Sequence, residues 1–178
     1  MASWERLAQR IRVPISRLGV VVVFFLHPTW ESLALGGIVA GIGAMIRLWA
    51  AGYIDKGRAL ATEGPYAMTR NPLYLGSLIM TLGVLVAGQA YWLLLPCGII
   101  YVALYFPVMK REEQELSQGY GGDFLEYAKR VPMFFPRLRT TAAPSSSFLW
   151  SRVKRNREHR HLMVLVLAGI ILIIRIYI

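Results

Sequence analysis

Apolar residues come in long blocks along this chain, and the charges sit between them. Between Arg70 and Lys110 lie 39 consecutive residues without a formal charge. A membrane-spanning helix needs roughly 20 apolar residues, so this block has the length of two spans and a turn. Leu73 to Ala87 and Trp92 to Met109 form its arms, turning at Gly88-Gln89-Ala90-Tyr91. Three further blocks have the same character. Leu18 to Trp30 is the core of one, and Leu33 to Ile46, running past Arg47 toward Ile54, is another. Leu162 to Ile174 is the last, with Arg175 placed to snorkel to an interface. The pattern predicts an all-α integral membrane protein with five transmembrane helices.

The polar stretches carry helical periods of their own. Trp4, Leu7 and Ile11 alternate with Arg6, Arg10 and Arg12, which predicts an amphipathic helix over residues 1–13 on the membrane surface. After a Gly119-Tyr120-Gly121-Gly122 break, Phe124, Tyr127, Ala128 and Val131 recur at helical spacing until Pro132 and Pro136. Residues 112–136 are therefore expected to form a cytosolic helical segment that closes a pocket. Thr140 to Ser147 reads as a connector. Phe148-Leu149-Trp150, followed by Arg152, Lys154, Arg155, Arg157 and Arg160, reads as an interfacial helix leading into the last span. No internal repeat is evident. The expectation is one membrane domain over 1–178, with its functional core at 36–137 and a C-terminal anchoring segment at 148–178.

Composition agrees with membrane residence. A chain of 178 residues that is 56% hydrophobic exceeds what a soluble domain needs. The net charge of +10 would suit nucleic acid, but its distribution argues for a bilayer. With the N-terminus inside, five spans place residues 1–17, 55–70 and 110–161 on one face. Of the 20 Lys and Arg, all but Arg47 and Arg175 fall in those segments. This is the positive-inside pattern, which sets the N-terminus in the cytosol and the C-terminus outside. Basic segments beside the membrane also attract anionic headgroups, so no nucleic-acid partner is expected. Cys97 is the single cysteine and lies within a span, so no intrachain disulfide forms, and no Cys/His spacing suggests a metal. No small-residue cleavage site precedes His27, which keeps the first block as a helix rather than a leader.

A hairpin crosses the bilayer and returns, so the polar motifs at its two ends share a face. Gly64-Pro65-Tyr66-Ala67-Met68-Thr69-Arg70-Asn71-Pro72 leads in, and Glu112-Glu113 follows. On charge alone the glutamates are a solvated helix end beside Lys110-Arg111. Opposite a second polar motif, a carboxylate pair also suits an ammonium or sulfonium ligand, because Coulomb attraction grows in a partly desolvated pocket. Tyr66, Arg70, Asn71 and Tyr74 are open to a plain interfacial reading: aromatics at headgroup level, Arg on phosphate, Asn71 as cap and Pro72 in the first turn. That reading leaves Gly64-Pro65-Tyr66, a tight turn able to bring backbone groups close to a ligand. In the second block, Gly37-x-x-x-Gly41 predicts a helix-packing face. No strand precedes Gly36, Gly37, Gly41 and Gly43, so they do not form a soluble nucleotide-binding fingerprint. Arg47 is expected to be a snorkelling anchor.

Arg70-Asn71-Pro72-Leu73-Tyr74-Leu75-Gly76 resembles the Arg-(His/Asn)-Pro-x-Tyr-x-Gly signature of integral-membrane methyltransferases. That group includes isoprenylcysteine carboxyl methyltransferases and phospholipid N-methyltransferases. Glu112-Glu113 belongs to the same signature, as do Tyr120-Gly121, Phe124, Tyr127, Arg130, Val131, Pro132 and Pro136. Gly41-x-Gly43 resembles the glycine pair of the phospholipid enzymes. The resemblance implies S-adenosylmethionine as methyl donor, with S-adenosylhomocysteine as product, bound at the cytosolic end of the hairpin. By that resemblance Gly41, Gly43, Tyr66, Arg70, Asn71, Tyr74, Leu75 and Gly76 line the cofactor. Glu112 and Glu113 hold its amino group or balance its sulfonium. Tyr120, Tyr127 and Arg130 close the pocket toward the acceptor, which makes Arg130, Glu113 and Tyr127 the catalytic candidates.

The resemblance divides over the acceptor. The carboxyl methyltransferases usually have His where this chain has Asn71, whereas the Phe124 to Pro136 tail looks more like theirs. A carboxylate needs only orientation, for which Arg130 is the candidate. An ammonium must first lose a proton, to Glu113 or a tyrosine. No residue has the clear position of a base, which favours a lipid or isoprenylated carboxylate over a phosphatidylethanolamine-type amine. A non-catalytic membrane protein is the remaining alternative. Ion transport is disfavoured because the acids lie at span ends rather than within them.

Overall fold

The computed structural model describes residues 23–55, 57, 59–137 and 147–178. The described residues form six α-helices and two 3-10 turns, with no strand among them. Thr29 starts the first helix, α1 (Trp30–Tyr53), through a capping box: its hydroxyl accepts from the Ser32 amide, and Ser32 Oγ accepts from the Thr29 amide. Trp30, expected to end the first span, thus opens the second. Residues 18–22 of that first span, and the amphipathic helix expected over residues 1–13, lie outside the described residues. So does most of the connector from Thr140 to Ser147.

The charge-free block folds as the predicted hairpin. Its first arm is α2 (Pro72–Ala87), and a 3-10 turn at Tyr91–Leu93 leads into α3 (Leu94–Tyr120). Among the described residues, three helices are long and apolar enough to cross a bilayer: Trp30–Tyr53, Tyr91–Tyr120 and His159–Tyr177. With 16 residues α2 is shorter, about 24 Å at 1.5 Å per residue. Leu95, Ile99, Met163, Val166 and Ile170 are exposed, as lipid-facing side chains would be.

Small residues set how closely α1 and α2 approach. A methyl group added to Gly36 would lie 2.2 Å from the Ala87 nitrogen, and one on Gly43 would lie 2.6 Å from the Gly76 carbonyl oxygen. Gly83 in turn closes on Ala40. The packing seam is therefore Gly36, Ala40 and Gly43 rather than the expected Gly37 and Gly41, which have nothing within 4 Å. Sequence spacing alone does not fix which small residues point inward in a helix apolar all round.

Beyond its apolar stretch α3 continues as one helix through Lys110 to Tyr120 and carries the glutamates with it. Gly121, at φ 53°, ends it in the left-handed region, where glycine fits without strain. Then α4 (Gly122–Arg130) folds back, burying Phe124, Tyr127 and Val131 against Leu60, Leu116 and Tyr120. Burying an aromatic of this kind stabilises by about 2 kcal/mol.

The C-terminal segment docks on the end of α1. Its short helix α5 (Trp150–Arg155) is followed by a turn with Arg157 at φ 56°, then α6 (His159–Tyr177). Leu149 N donates to Gly52 O at 3.1 Å, and Asn156 Nδ2 donates to Ala51 O at 3.0 Å. Those carbonyls belong to the last turn of α1, which has no further helical donors. Arg155 pairs with Asp55 in the same region. Arg47, expected to snorkel, is instead buried: its guanidinium reaches Glu158 with Nε to Oε2 at 3.0 Å and Nη2 to Oε1 at 2.9 Å. An unpaired charge at that depth is costly, and Glu158 supplies the counter-charge. Arg175 Nε donates to Leu26 O at 3.3 Å at the other end of the bundle.

Candidate active site

The loop before α2 is built to be held rather than to move. Gly64, at φ 59°, starts a 3-10 turn over Gly64–Ala67 with Pro65 in its first turn. Met68 to Asn71 then lies against the tail that follows α4. Arg70 N donates to Pro132 O at 2.9 Å, and Arg137 N donates to Met68 O at 2.9 Å. Thr69 Oγ1 donates to Phe134 O at 2.9 Å. Asn71 Nδ2 donates to Met133 O at 3.0 Å, and the side chain makes no capping bond to α2. A cap was one reading of Asn71; its side chain instead donates to the tail.

The two motifs flanking the hairpin meet. Tyr74 Oη donates to Glu112 Oε1 at 2.7 Å across 38 positions of sequence. Arg70 Nε lies 3.0 Å from Glu113 Oε1, both largely buried, as an ion pair not aligned for a hydrogen bond. Tyr101 Oη donates to Tyr74 O at 2.8 Å, and the Tyr101 and Tyr105 rings stack at 4.3 Å, giving the cluster an aromatic wall. The apolar turn at residues 88–93 is the lever that makes this convergence: two arms of similar apolar length bring their polar ends back together.

Tyr66 lies buried in the 3-10 turn that leads into these motifs. Its carbonyl accepts from Tyr127 Oη at 2.8 Å, which ties the 3-10 turn to α4. Its own hydroxyl is buried and has no hydrogen-bond partner among the described residues. Such a group costs about 1–3 kcal/mol of desolvation, so an unmatched phenol marks a place for a polar ligand atom. Burial raises its pKa well above the ordinary tyrosine range, and Tyr127, Glu112 and Glu158 add to the rise while Arg47 opposes it. Burial likewise raises Tyr127, with Arg70 opposing and Glu113 assisting. Both phenols therefore stay protonated, and Tyr127 is the one that donates.

The remaining expected site residues are placed differently. Gly43 and Gly76 face each other at the α1–α2 seam, and Gly41 looks into open space on the other side of α1. Leu75 is half-buried in the first turn of α2. Tyr120 ends α3 beside the α4 core. Arg130 is exposed at the end of α4, its Nε bonded only loosely to Glu126 O at 3.4 Å. Among the described residues no group of three or more His, Cys, Asp or Glu could hold a metal ion. The sequence reading missed Tyr101, Tyr105 and the Arg47–Glu158 pair. A lone arginine inside an apolar block was a signal that a buried acid would be needed.

Comparison with known proteins decides the family. The phospholipid methyltransferase pattern matches residues 32–123, which hold the hairpin and both flanking motifs. The chain belongs to the phospholipid methyltransferase family. Its relatives include the cobalt-zinc-cadmium resistance protein CzcN of Cupriavidus metallidurans, 32% identical over 147 residues, covering 75% of this chain and 68% of that protein. Methanethiol S-methyltransferase 2 of Bradyrhizobium diazoefficiens is 34% identical over 85 residues, 47% of this chain and 31% of that protein. Protein-S-isoprenylcysteine O-methyltransferase B of Arabidopsis thaliana is 32% identical over 82 residues, 46% of this chain and 42% of that protein. The chain thus spans about two thirds of CzcN and less than half of either methyltransferase. No solved structure matches it. Family and apolar helices together make it a membrane methyltransferase.

Proposed function

We propose that this protein transfers a methyl group from S-adenosylmethionine to a lipid-type acceptor at the cytosolic membrane face. An isoprenylcysteine-like carboxylate is the acceptor the site favours. The observation that carries the reading is the closure of the two hairpin motifs, Tyr74 on Glu112 and Arg70 beside Glu113, with the buried Tyr66 hydroxyl, unmatched among the described residues, in the turn that leads into them. The donor set fits the group. Carboxylates meet an ammonium and a sulfonium, and a buried phenol matches a further polar atom of the ligand.

Tyr66, Arg70, Asn71, Tyr74, Leu75, Glu112 and Glu113 would hold the donor, while Gly41, Gly43 and Gly76 shape the helices behind them. When bound, the donor supplies an electrophilic methyl group on a sulfonium. The chain's own task is alignment and exclusion of water. The tail over Thr69 and Asn71 fixes the loop, and the Tyr101 bond to the Tyr74 carbonyl fixes the first turn of α2.

The protonation pattern supports the choice of acceptor. Tyr66 and Tyr127 keep their protons, and Glu113, whose pKa burial raises against the opposing pull of Arg70 and Lys110, is held in the ion pair with Arg70, so a free base is scarce. An acceptor that arrives already anionic needs none. Arg130, with its guanidinium turned outward, would meet that carboxylate from the aqueous side. The family description favours a second reading, methylation of a phosphatidylethanolamine-type amine, in which Glu113 would have to take the proton.

Detergent-solubilised protein is expected to bind S-adenosylhomocysteine in calorimetry. Glu112→Gln should weaken that binding about tenfold, the order of one charge-assisted hydrogen bond. Supplying labelled donor with a farnesylcysteine analogue or with phosphatidylethanolamine separates the acceptors by which product gains label. Absence of binding together with absence of label in either product would overturn the assignment.

A further inference from the structure

Glu158 lies outside residues 32–123 matched by the family, at the start of the C-terminal helix α6. It is 4% exposed and bonds to Arg47 through both carboxylate oxygens. Arg47 in turn leaves α1 and reaches α2. Its Nη1 donates to the Leu73 carbonyl at 2.9 Å and also to Ser77 Oγ. Gly76 is what lets it through: a methyl group there would lie 2.7 Å from Arg47 Cγ. Two members of the Asn71-Pro72-Leu73-Tyr74-Leu75-Gly76 run are therefore touched by Arg47, and the next residue after Leu73 is Tyr74, whose hydroxyl closes on Glu112. The Tyr66 hydroxyl is within electrostatic reach of Arg47, Glu158 and Glu112 together.

Resting on the methyltransferase reading and extending it, we infer that Glu158 is a positioning residue of the donor site. It orients Arg47 so that Arg47 fixes the first turn of α2 and, with it, Tyr74 against Glu112. The C-terminal segment is then part of the catalytic architecture and not only an anchor. Removing the carboxylate leaves a buried guanidinium without its counter-charge, free to turn toward other acceptors and to release the Leu73 carbonyl. The same coupling runs backward: a ligand that orders Tyr74 and Glu112 must stabilise the Glu158 contact by an equal free energy.

The test uses S-adenosylhomocysteine calorimetry on the full chain in detergent, with Glu158→Gln and Glu158→Asp beside the unaltered protein. Glu158→Gln is expected to weaken binding by at least about fivefold, the lower end of ordinary site–site coupling, and Glu158→Asp to recover most of it. Hydrogen exchange on the unaltered protein supplies a readout that needs no variant to fold: saturating S-adenosylhomocysteine should slow exchange across residues 150–160. Unchanged affinity in a folded Glu158→Gln protein, or unchanged exchange across that segment, overturns the role of Glu158 while leaving the donor reading intact. No binding by the unaltered protein removes both.

Discussion

The Tyr66 hydroxyl is buried and has no partner among the described residues, and that imbalance makes opposite predictions for stability and for binding. Tyr66→Phe removes an unsatisfied polar atom and keeps the ring that fills the site. The ligand-free protein should be as stable or more so, by up to about 1 kcal/mol, while its thermal shift with S-adenosylhomocysteine shrinks. A destabilised ligand-free variant with a full thermal shift would mean that the hydroxyl has a partner within the protein. Titration separates the buried phenols from the rest. The folded state holds the Tyr66 and Tyr127 protons more tightly than the unfolded chain does. Their contribution to stability is therefore complete below the ordinary tyrosine value of 10.0 and declines as pH rises beyond it. Ultraviolet absorbance should show these two ionising only as the protein unfolds, and a single reversible step for all tyrosines would contradict their burial. Most of this cluster was legible from residue types around the hairpin. The orientation of Asn71 was not, because its side chain could accept from the helix N-terminus through Oδ1 or turn Nδ2 to a tail carbonyl, and only the path of residues 132–134 set it.

Helices α1 and α2 are held by close backbone approach, and this gives the glycines unequal weight. Gly43→Leu would force side-chain atoms into the Gly76 carbonyl, costing about 2 kcal/mol or more through overpacking. Gly37→Leu points into open space and should leave the melting temperature in detergent nearly unchanged. Equal effects from the two substitutions would place the seam elsewhere. The length of α2 followed from its apolar block and the stop of α4 near Pro132 followed from its sequence, whereas α3 ran on past its block to Tyr120 and α6 exceeded its block at both ends. Helix rotation did not follow from the blocks. A helix apolar on every side has no polar stripe to reveal which face meets protein and which meets lipid.

The bundle also makes a claim about sides. His27 and Gln89 lie toward one end, where Gln89 Nε2 donates to Thr29 Oγ1, and Arg175 reaches Leu26 at that same end. Asp55, Glu112, α4 and α5 gather at the other, which carries most of the basic residues. With Cys97 replaced by alanine, single cysteines at Lys129 and Lys154 should react with a membrane-impermeant reagent from the cytosolic side, and one at Gln89 from the opposite side. Labelling of Lys129 and Gln89 positions from the same side would break the hairpin topology and the site with it.

Block length and charge placement along the chain were enough to determine membrane residence, the hairpin and the meeting of its two polar ends. The reason is that a bilayer forces each long apolar run into a helix and sorts the charges by side, both of which are readable in one dimension. Only the tertiary structure decided that Arg47 would be buried on Glu158, that Gly76 would make room for it, and that Gly36 and Gly43 would face inward. Those outcomes depend on helix rotation and on a pairing 111 residues apart, and no local period of the sequence encodes either.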